Sequence, residues 1–190
     1  MPKANIEKAI ARGAGKGGEG SRLEEIVYEG FGPEGVAVIT VAVTDNKQRT
    51  AQEVRSVFDR GGGRLGGPGS VSYLFSPVGQ IEVEGFKDAD ELLLLAADAG
   101  ADDVGISGES AVVYCATLGL EKVKTALERG GLKIVGSEIS MKPKNSVKIE
   151  EAEKAKKVLD FLDKIDDLAD VQKIYANFDI PEDILEKETA

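Results

Sequence analysis

The residue types in this chain that could do chemistry are arginines and lysines set beside glycine-rich loops. Between residues 47 and 64, Lys47, Arg49, Arg55, Arg60 and Arg64 stand against only Glu53 and Asp59, a local charge of +3. Residues 1–22 repeat that balance, with Lys3, Lys8, Arg12, Lys16 and Arg22 against Glu7 and Glu19. The loops beside them run over 13–20 and 61–69. Cationic side chains next to bare backbone amides are a common means of gripping phosphate. The chemistry in view is contact with a phosphate backbone rather than bond-making.

The remaining candidates are excluded or weak. The chain has no histidine, which rules out Ser-His-Asp and Cys-His catalysis, the H-E-x-x-H zinc site and imidazole proton transfer. Its one cysteine, Cys115, leaves no internal disulfide or C-x-x-C site, and within the apolar run 111–116 it reads as a small buried hydrophobe. Asp102 with Asp103 and Glu150 with Glu151 are adjacent acids, which point apart on a strand or helix and so make no catalytic dyad. Gly61, Gly63 and Gly66 satisfy G-x-G-x-x-G, as do Gly13, Gly15 and Gly18, but a dinucleotide fingerprint follows a strand and opens a helix. Both of these follow helices. Two readings of 61–69 stay open: a helix stop with a tight turn, or a loop whose amides beside Arg60 and Arg64 admit a phosphate backbone. The aromatic and glycine stretch Tyr28, Gly30, Phe31, Gly32, Pro33 and Gly35 reads as an entry turn or, less simply, a ligand contact. No nucleophile, base and orienting group come together, so no catalytic residue, metal ligand or cofactor is expected.

Composition bounds the setting. The chain has 190 residues, 42% of them hydrophobic, and a formal net charge of −10, which argues against bulk attachment to nucleic acid or an anionic membrane. The acids concentrate in 82–103 and 149–190, each −7, where they read as solvated helix faces. No apolar stretch approaches the roughly 20 residues that a bilayer needs, and no hydrophobic signal core opens the chain. A cytoplasmic protein is expected.

The elements that must position the basic residues follow from periodicity. Residues 36–43 are a β-branched apolar run, the mark of a central strand. Over 47–60, Ala51, Val54, Val57 and Phe58 recur at helical spacing and leave Arg49, Arg55 and Arg60 mostly off the apolar stripe. Short strands are expected at 64–65 and 71–75. From 80 to 141 the order is strand, helix, strand, strand, helix, strand, the split βαβ order. A helix over 149–165 and a strand over 171–178 complete a second βαββαβ set. The fold expected is α+β: two ferredoxin-like βαββαβ domains, one inserted into the other, behind an N-terminal helical fragment. Its domains are 1–22, a helical remnant and linker; 23–77 with 143–190; and the insert 78–142, with linkers near 76–80 and 142–148.

Four runs carry a resemblance: MPKANIEKAIARG at 1–13, YEGFGPEGVAVI at 28–39, TDNKQRTAQEVRSVFDRGGGRLGGPGSVSYLF at 44–75 and VQKIYANFDIP at 171–181. Their order and spacing resemble the YebC/PmpR family across essentially the whole chain. The resemblance implies a probable transcriptional regulator that binds DNA, or a ribosome-associated translation factor that binds ribosomal RNA and relieves stalling on proline-rich stretches. It also implies a helical N-terminal domain followed by two α/β domains, one inserted in the other. In the family, Met-Pro-Lys with Asn-Ile is internal and follows a strongly basic helical region with a Gly-His-Ser-Lys-Trp start, so most of that region is expected to be missing here.

Matched to the family pattern are Asp45, Asn46, Arg49, Thr50, Arg55, Gly62, Leu65, Gly66, Gly69 and Ser70, with Lys3 and Arg12. The resemblance and the charge pattern together nominate Lys3, Arg12, Lys47, Arg49, Arg55, Arg60 and Arg64 as nucleic-acid contacts. Asn46, Thr50, Gly62, Gly66, Gly69 and Ser70 are the expected loop anchors. The partner is promoter DNA or ribosomal RNA, with the ribosome behind the second, and no membrane. A ligand-sensing module is the third reading, since ferredoxin-like pairs also bind small molecules. Oligomeric state is not readable from the sequence.

Overall fold

A computed structural model of the chain describes residues 23–181 and residue 184. The helical fragment read within 1–22, with Lys3 and Arg12, lies outside the described residues. The class is α+β, with two four-stranded antiparallel sheets and four helices among those residues. The chain divides into two compact units: Phe75–Lys142, and the segments that flank it, up to Leu74 and from Pro143.

The flanking unit opens with β1 (Glu24–Phe31), β2 (Ala37–Thr44), α1 (Lys47–Arg60) and β3 (Arg64–Leu65). The inserted unit follows as β4 (Phe75–Glu84), α2 (Ala89–Ala99), β5 (Asp103–Ser107), β6 (Ser110–Cys115), α3 (Leu120–Arg129) and β7 (Lys133–Pro143). The chain then returns through β8 (Val147–Lys148), α4 (Ala152–Asp166), β9 (Val171–Ala176) and β10 (Phe178–Asp179).

In the inserted unit the sheet runs β5-β6-β4-β7, the ferredoxin-like arrangement of a βαββαβ chain. Alternation on the strands builds its core. Ile81 and Val83 on β4 and Ala111, Val113 and Cys115 on β6 share one face with Leu92 and Ala96 of α2 and Val123 and Leu127 of α3. Asp88 caps α2 by accepting from the Asp90 N–H at 2.8 Å, and Gly100, at φ 96°, ends it in a left-handed turn.

The flanking sheet runs β3-β1-β2-β9, with all three neighbouring pairs antiparallel. It has the same spatial arrangement, filled in a different chain order. The strand between β2 and β3 is β1, which the glycines at 30, 32 and 35 disguise as an entry turn. Residues 71–75, read as that strand, instead form a 3-10 turn over Ser72–Leu74 and then open β4 at Phe75. Residues 76–80, read as a linker, are part of β4. Gly30 belongs in the strand because a Cβ there would come within 2.6 Å of the Arg64 carbonyl oxygen and of Phe58 Cε1. Its bareness lets β3 and α1 close onto β1.

The core of this unit lies between the sheet and α1 with α4. Val38 and Ala42 of β2 meet Val54 and Phe58 of α1 and Val158, Phe161 and Ile165 of α4, all buried. Phe58 and Phe161 pack edge to face, with centroids 5.0 Å apart and ring planes at 89°. Gly61 closes tightly on the same ring: a Cβ there would stand 2.4 Å from Phe161 Cδ2. Gly61 has φ −78°, a helical value that alanine adopts freely and that would ordinarily favour it. Here packing wins. Gly61→Ala is expected to destabilise the chain by about 1–3 kcal/mol through overpacking, measured by urea unfolding; a stabilised variant would contradict the contact with Phe161.

Candidate nucleic-acid interface

α1 starts two residues after β2 ends, and one buried carboxylate holds the join. Asp170, 2% exposed, stands just before β9. Its Oδ2 accepts hydrogen bonds from the Arg49 guanidinium at 2.7 Å, the Thr50 hydroxyl at 2.8 Å and the Thr44 hydroxyl at 3.0 Å. The Asp170 carbonyl accepts from the Val43 N–H at 2.8 Å, so main chain and side chain are both tied to β2. Arg49 also reaches Asp45 Oδ1 at 3.0 Å. Asn46 is the N-cap of α1, its Oδ1 accepting from the Arg49 N–H at 3.1 Å, while its own N–H donates to Thr44 Oγ1 at 2.9 Å. Lys47 pairs with Glu24 of β1. Lys47, Arg49, Asn46 and Thr50 thus gather at one end of α1, and both of these cations have internal carboxylate partners.

The glycine loop is organised by a second buried carboxylate. Glu29 points from β1 to the face opposite α1 and is 7% exposed. Its Oε1 accepts from the Gly69 N–H at 2.8 Å, and its Oε2 accepts from the N–H groups of Val71 at 2.9 Å and Ser72 at 2.8 Å. The Gly66 N–H donates to the Glu29 carbonyl at 2.8 Å. Gly69 takes φ 84°, and a Cβ on Gly66 would collide with Ser70 Oγ at 2.4 Å, so the loop's closeness needs both glycines. The end of the loop is thus a tight turn whose amides at Gly69, Val71 and Ser72 hold an anion that belongs to the protein, whereas the amides beside Arg60 and Arg64 take no part in it.

Three arginines are left further along: Arg55 past the middle of the 14-residue α1, Arg60 at its end about 20 Å from its start, and Arg64 beyond it on β3. Arg55, Arg60 and Arg64 are exposed and form no ion pair with any described residue. Arg60 lies in the last turn of α1, and Gly62, at φ 77°, turns the chain toward β3. Arg64 is the register partner of Phe31 across the β1–β3 pair. Their neighbours Gly30 and Leu65 point toward the core, so Phe31 and Arg64 share the opposite face. With Lys47 and Arg49 internally paired, the available charge is three guanidinium groups against Glu53 and Asp59 of the same helix. Among the described residues, no group of three or more His, Cys, Asp or Glu side chains could hold a metal ion.

Sequence reasoning placed Asp170 among solvated acids and gave Glu29 no role. A signal for Glu29 existed: it alternates with Tyr28 and Gly30 in a strand pattern and faces a loop rich in free amides. Asp170 carried no local signal, because its partners Thr44, Arg49 and Thr50 are more than 100 positions away.

Burial alone would raise the Asp170 carboxyl, but the hydrogen bonds from Arg49, Thr50 and Thr44 outweigh it and hold the group below the ordinary carboxylate range. Glu29 behaves alike, with burial outweighed by the amides of Gly69, Val71 and Ser72 and by the Ser72 side chain. A group held low when folded stabilises the fold above its unfolded value near pH 4, and that contribution fades as pH falls through the folded value. Asp170→Asn is therefore expected to be less stable at pH 7, by on the order of 2–3 kcal/mol. The gap from the parent chain should narrow between pH 4 and pH 2 in denaturant titrations, and a gap independent of pH would contradict the assignment.

A family model described as the TACO1/YebC second and third domain matches residues 23–178. Relatives from a Synechococcus strain and from Dictyoglomus thermophilum, each named a probable transcriptional regulatory protein, are 47% identical over 98% of this chain and 75% of their own length. A like-named protein of Aquifex aeolicus is 46% identical over the same shares. The fold superposes on a crystal structure of a conserved hypothetical protein from Aquifex aeolicus with a TM-score of 0.82, at 46% identity, covering 97% of this chain and 76% of that one. With a family model spanning both units and near-complete alignment at this identity, the chain belongs to the TACO1/YebC family.

Proposed function

We propose that this chain is a non-catalytic regulator of gene expression that works in the cytoplasm and holds nucleic acid by its phosphates, through Arg55, Arg60 and Arg64. The observation that carries this reading is the contrast within one basic segment: Lys47 and Arg49 have carboxylate partners, whereas these three are exposed without one among the described residues. Lys3 and Arg12, outside the described residues, belong to the same proposal by charge. Promoter DNA is the first target to test, because the relatives are named probable transcriptional regulatory proteins. Structured RNA, ribosomal RNA included, is favoured by a separate observation. At the N-terminus of α1, the end that helix-turn-helix proteins aim at base edges, both cations are held internally, Lys47 by Glu24 and Arg49 by Asp170. No described helix is long and apolar enough to cross a membrane.

Binding limited to these five phosphate contacts has a defined salt dependence. On duplex DNA the slope of log affinity against log salt should be no steeper than about −4.5, and Arg60→Ala with Arg64→Ala should flatten it by about 0.9 for each contact. Titration of labelled promoter-length duplex and of a ribosomal RNA fragment between low and moderate salt measures both. An unchanged slope in the double variant removes these residues from the interface. Cosedimentation with ribosomes that is abolished by ribonuclease selects RNA as the target, and a shift of duplex alone selects DNA.

A further inference from the structure

The sheet edge beside the arginines carries a feature that phosphate contacts leave unused. Phe31 ends β1 with 38% of its surface exposed, on the face turned away from α1 and α4. Its two register partners are Arg64 on β3 and Ala37 on β2. Residues directly opposite on neighbouring strands hold their Cβ atoms about 5 Å apart, which sets the Arg64 side chain beside the ring. Ala37, on the other side, offers only a methyl group. Glu29, two positions back on the same face, would repel an anion, but its carboxylate is buried and satisfied by three loop amides. The corner therefore combines a partly exposed aromatic ring with an exposed guanidinium, that of Arg64, on the same face of the sheet.

We propose that Phe31 is a stacking platform for an unpaired nucleobase, with Arg64 taking an adjacent phosphate, so that the ligand class of this corner is a single-stranded nucleic acid segment. This rests on the phosphate-binding reading above and narrows it. In a duplex, each base is covered by its stacked neighbours and offers no face to a ring on a protein surface. An unpaired base does, and stacking of this kind tolerates any base because every base has a π face. The phosphate contacts set the salt dependence, and the ring adds affinity that salt does not touch.

The test uses the full chain and a labelled 12-nucleotide oligoadenylate RNA, free or annealed to its complement. The parent chain should prefer the free strand. Phe31→Leu should weaken free-strand binding about tenfold, within what base–aromatic stacking contributes, with an unchanged salt slope and unchanged duplex binding. Phe31→Trp should keep the affinity, and because the chain has no tryptophan of its own, quenching of the new indole on adding the strand reports stacking directly. Thermal unfolding of each variant checks that the fold is retained. Binding that is lost in Arg64→Ala but unaltered in Phe31→Leu, with no quenching in Phe31→Trp, overturns the stacking site and leaves the phosphate reading standing. An equal loss on both RNA forms in Phe31→Leu also overturns it. Failure of the parent chain to bind either form, or duplex DNA, overturns both.

Discussion

A carboxylate almost wholly out of water, that of Asp170, decides how the flanking unit is put together. A buried charge is tolerated only when its partners are close and its lone pairs are filled. Asp170 meets that condition by drawing in the end of β2 through Thr44, the first turns of α1 through Arg49 and Thr50, and the start of β9 through its own position. The three elements can meet at that point in only one way. Once α1 leaves β2 in this direction, its far end and the short strand β3 come to rest beside the end of β1, and Arg64 and Phe31 become neighbours in the fold.

The same economy of charge shapes the surface. The sequence segment 47–64 carries five cations, but the junction and β1 take two of them into internal pairs, and Glu29 takes the amides of Gly69, Val71 and Ser72. Charge read from a linear sequence overstates what a folded surface offers. What is left is a small cationic corner on a chain whose formal net charge is −10. At physiological ionic strength a field decays over about 8 Å, so such a corner acts on a ligand by contact rather than at long range. That limits both affinity and steering, and it makes any uncharged contribution, such as a ring beside the guanidinium groups, matter more.

Much of the fold was legible because it rests on local patterns. The inserted unit's strands and helices followed from alternation and from helical spacing such as that of Leu92 and Ala96, and α1 from the spacing of Ala51, Val54, Val57 and Phe58. The misreadings have physical causes. β1 was hidden because glycines signal turns unless something needs their missing side chains, and at Gly30 that something is Phe58 and the Arg64 carbonyl, both distant in sequence. Residues 71–75 have the composition of a strand, yet the N–H groups of Val71 and Ser72 are drawn to Glu29 instead of to a neighbouring strand. Of the candidate site, the positions of the cations were readable and their availability was not. Whether an arginine faces water or a buried acid depends on a partner such as Asp170, which stands 121 residues from Arg49.

The most direct test of the account is a map of the bound surface. An isotope-labelled chain titrated with the 12-nucleotide RNA strand, followed by amide chemical shifts, reads out contact residue by residue. The account predicts changes at the end of β1 around Phe31, at residues 55–65 and at Lys3 and Arg12, with the inserted unit, Phe75–Lys142, unmoved. Changes centred on the inserted unit or on the Asp170 junction would contradict it.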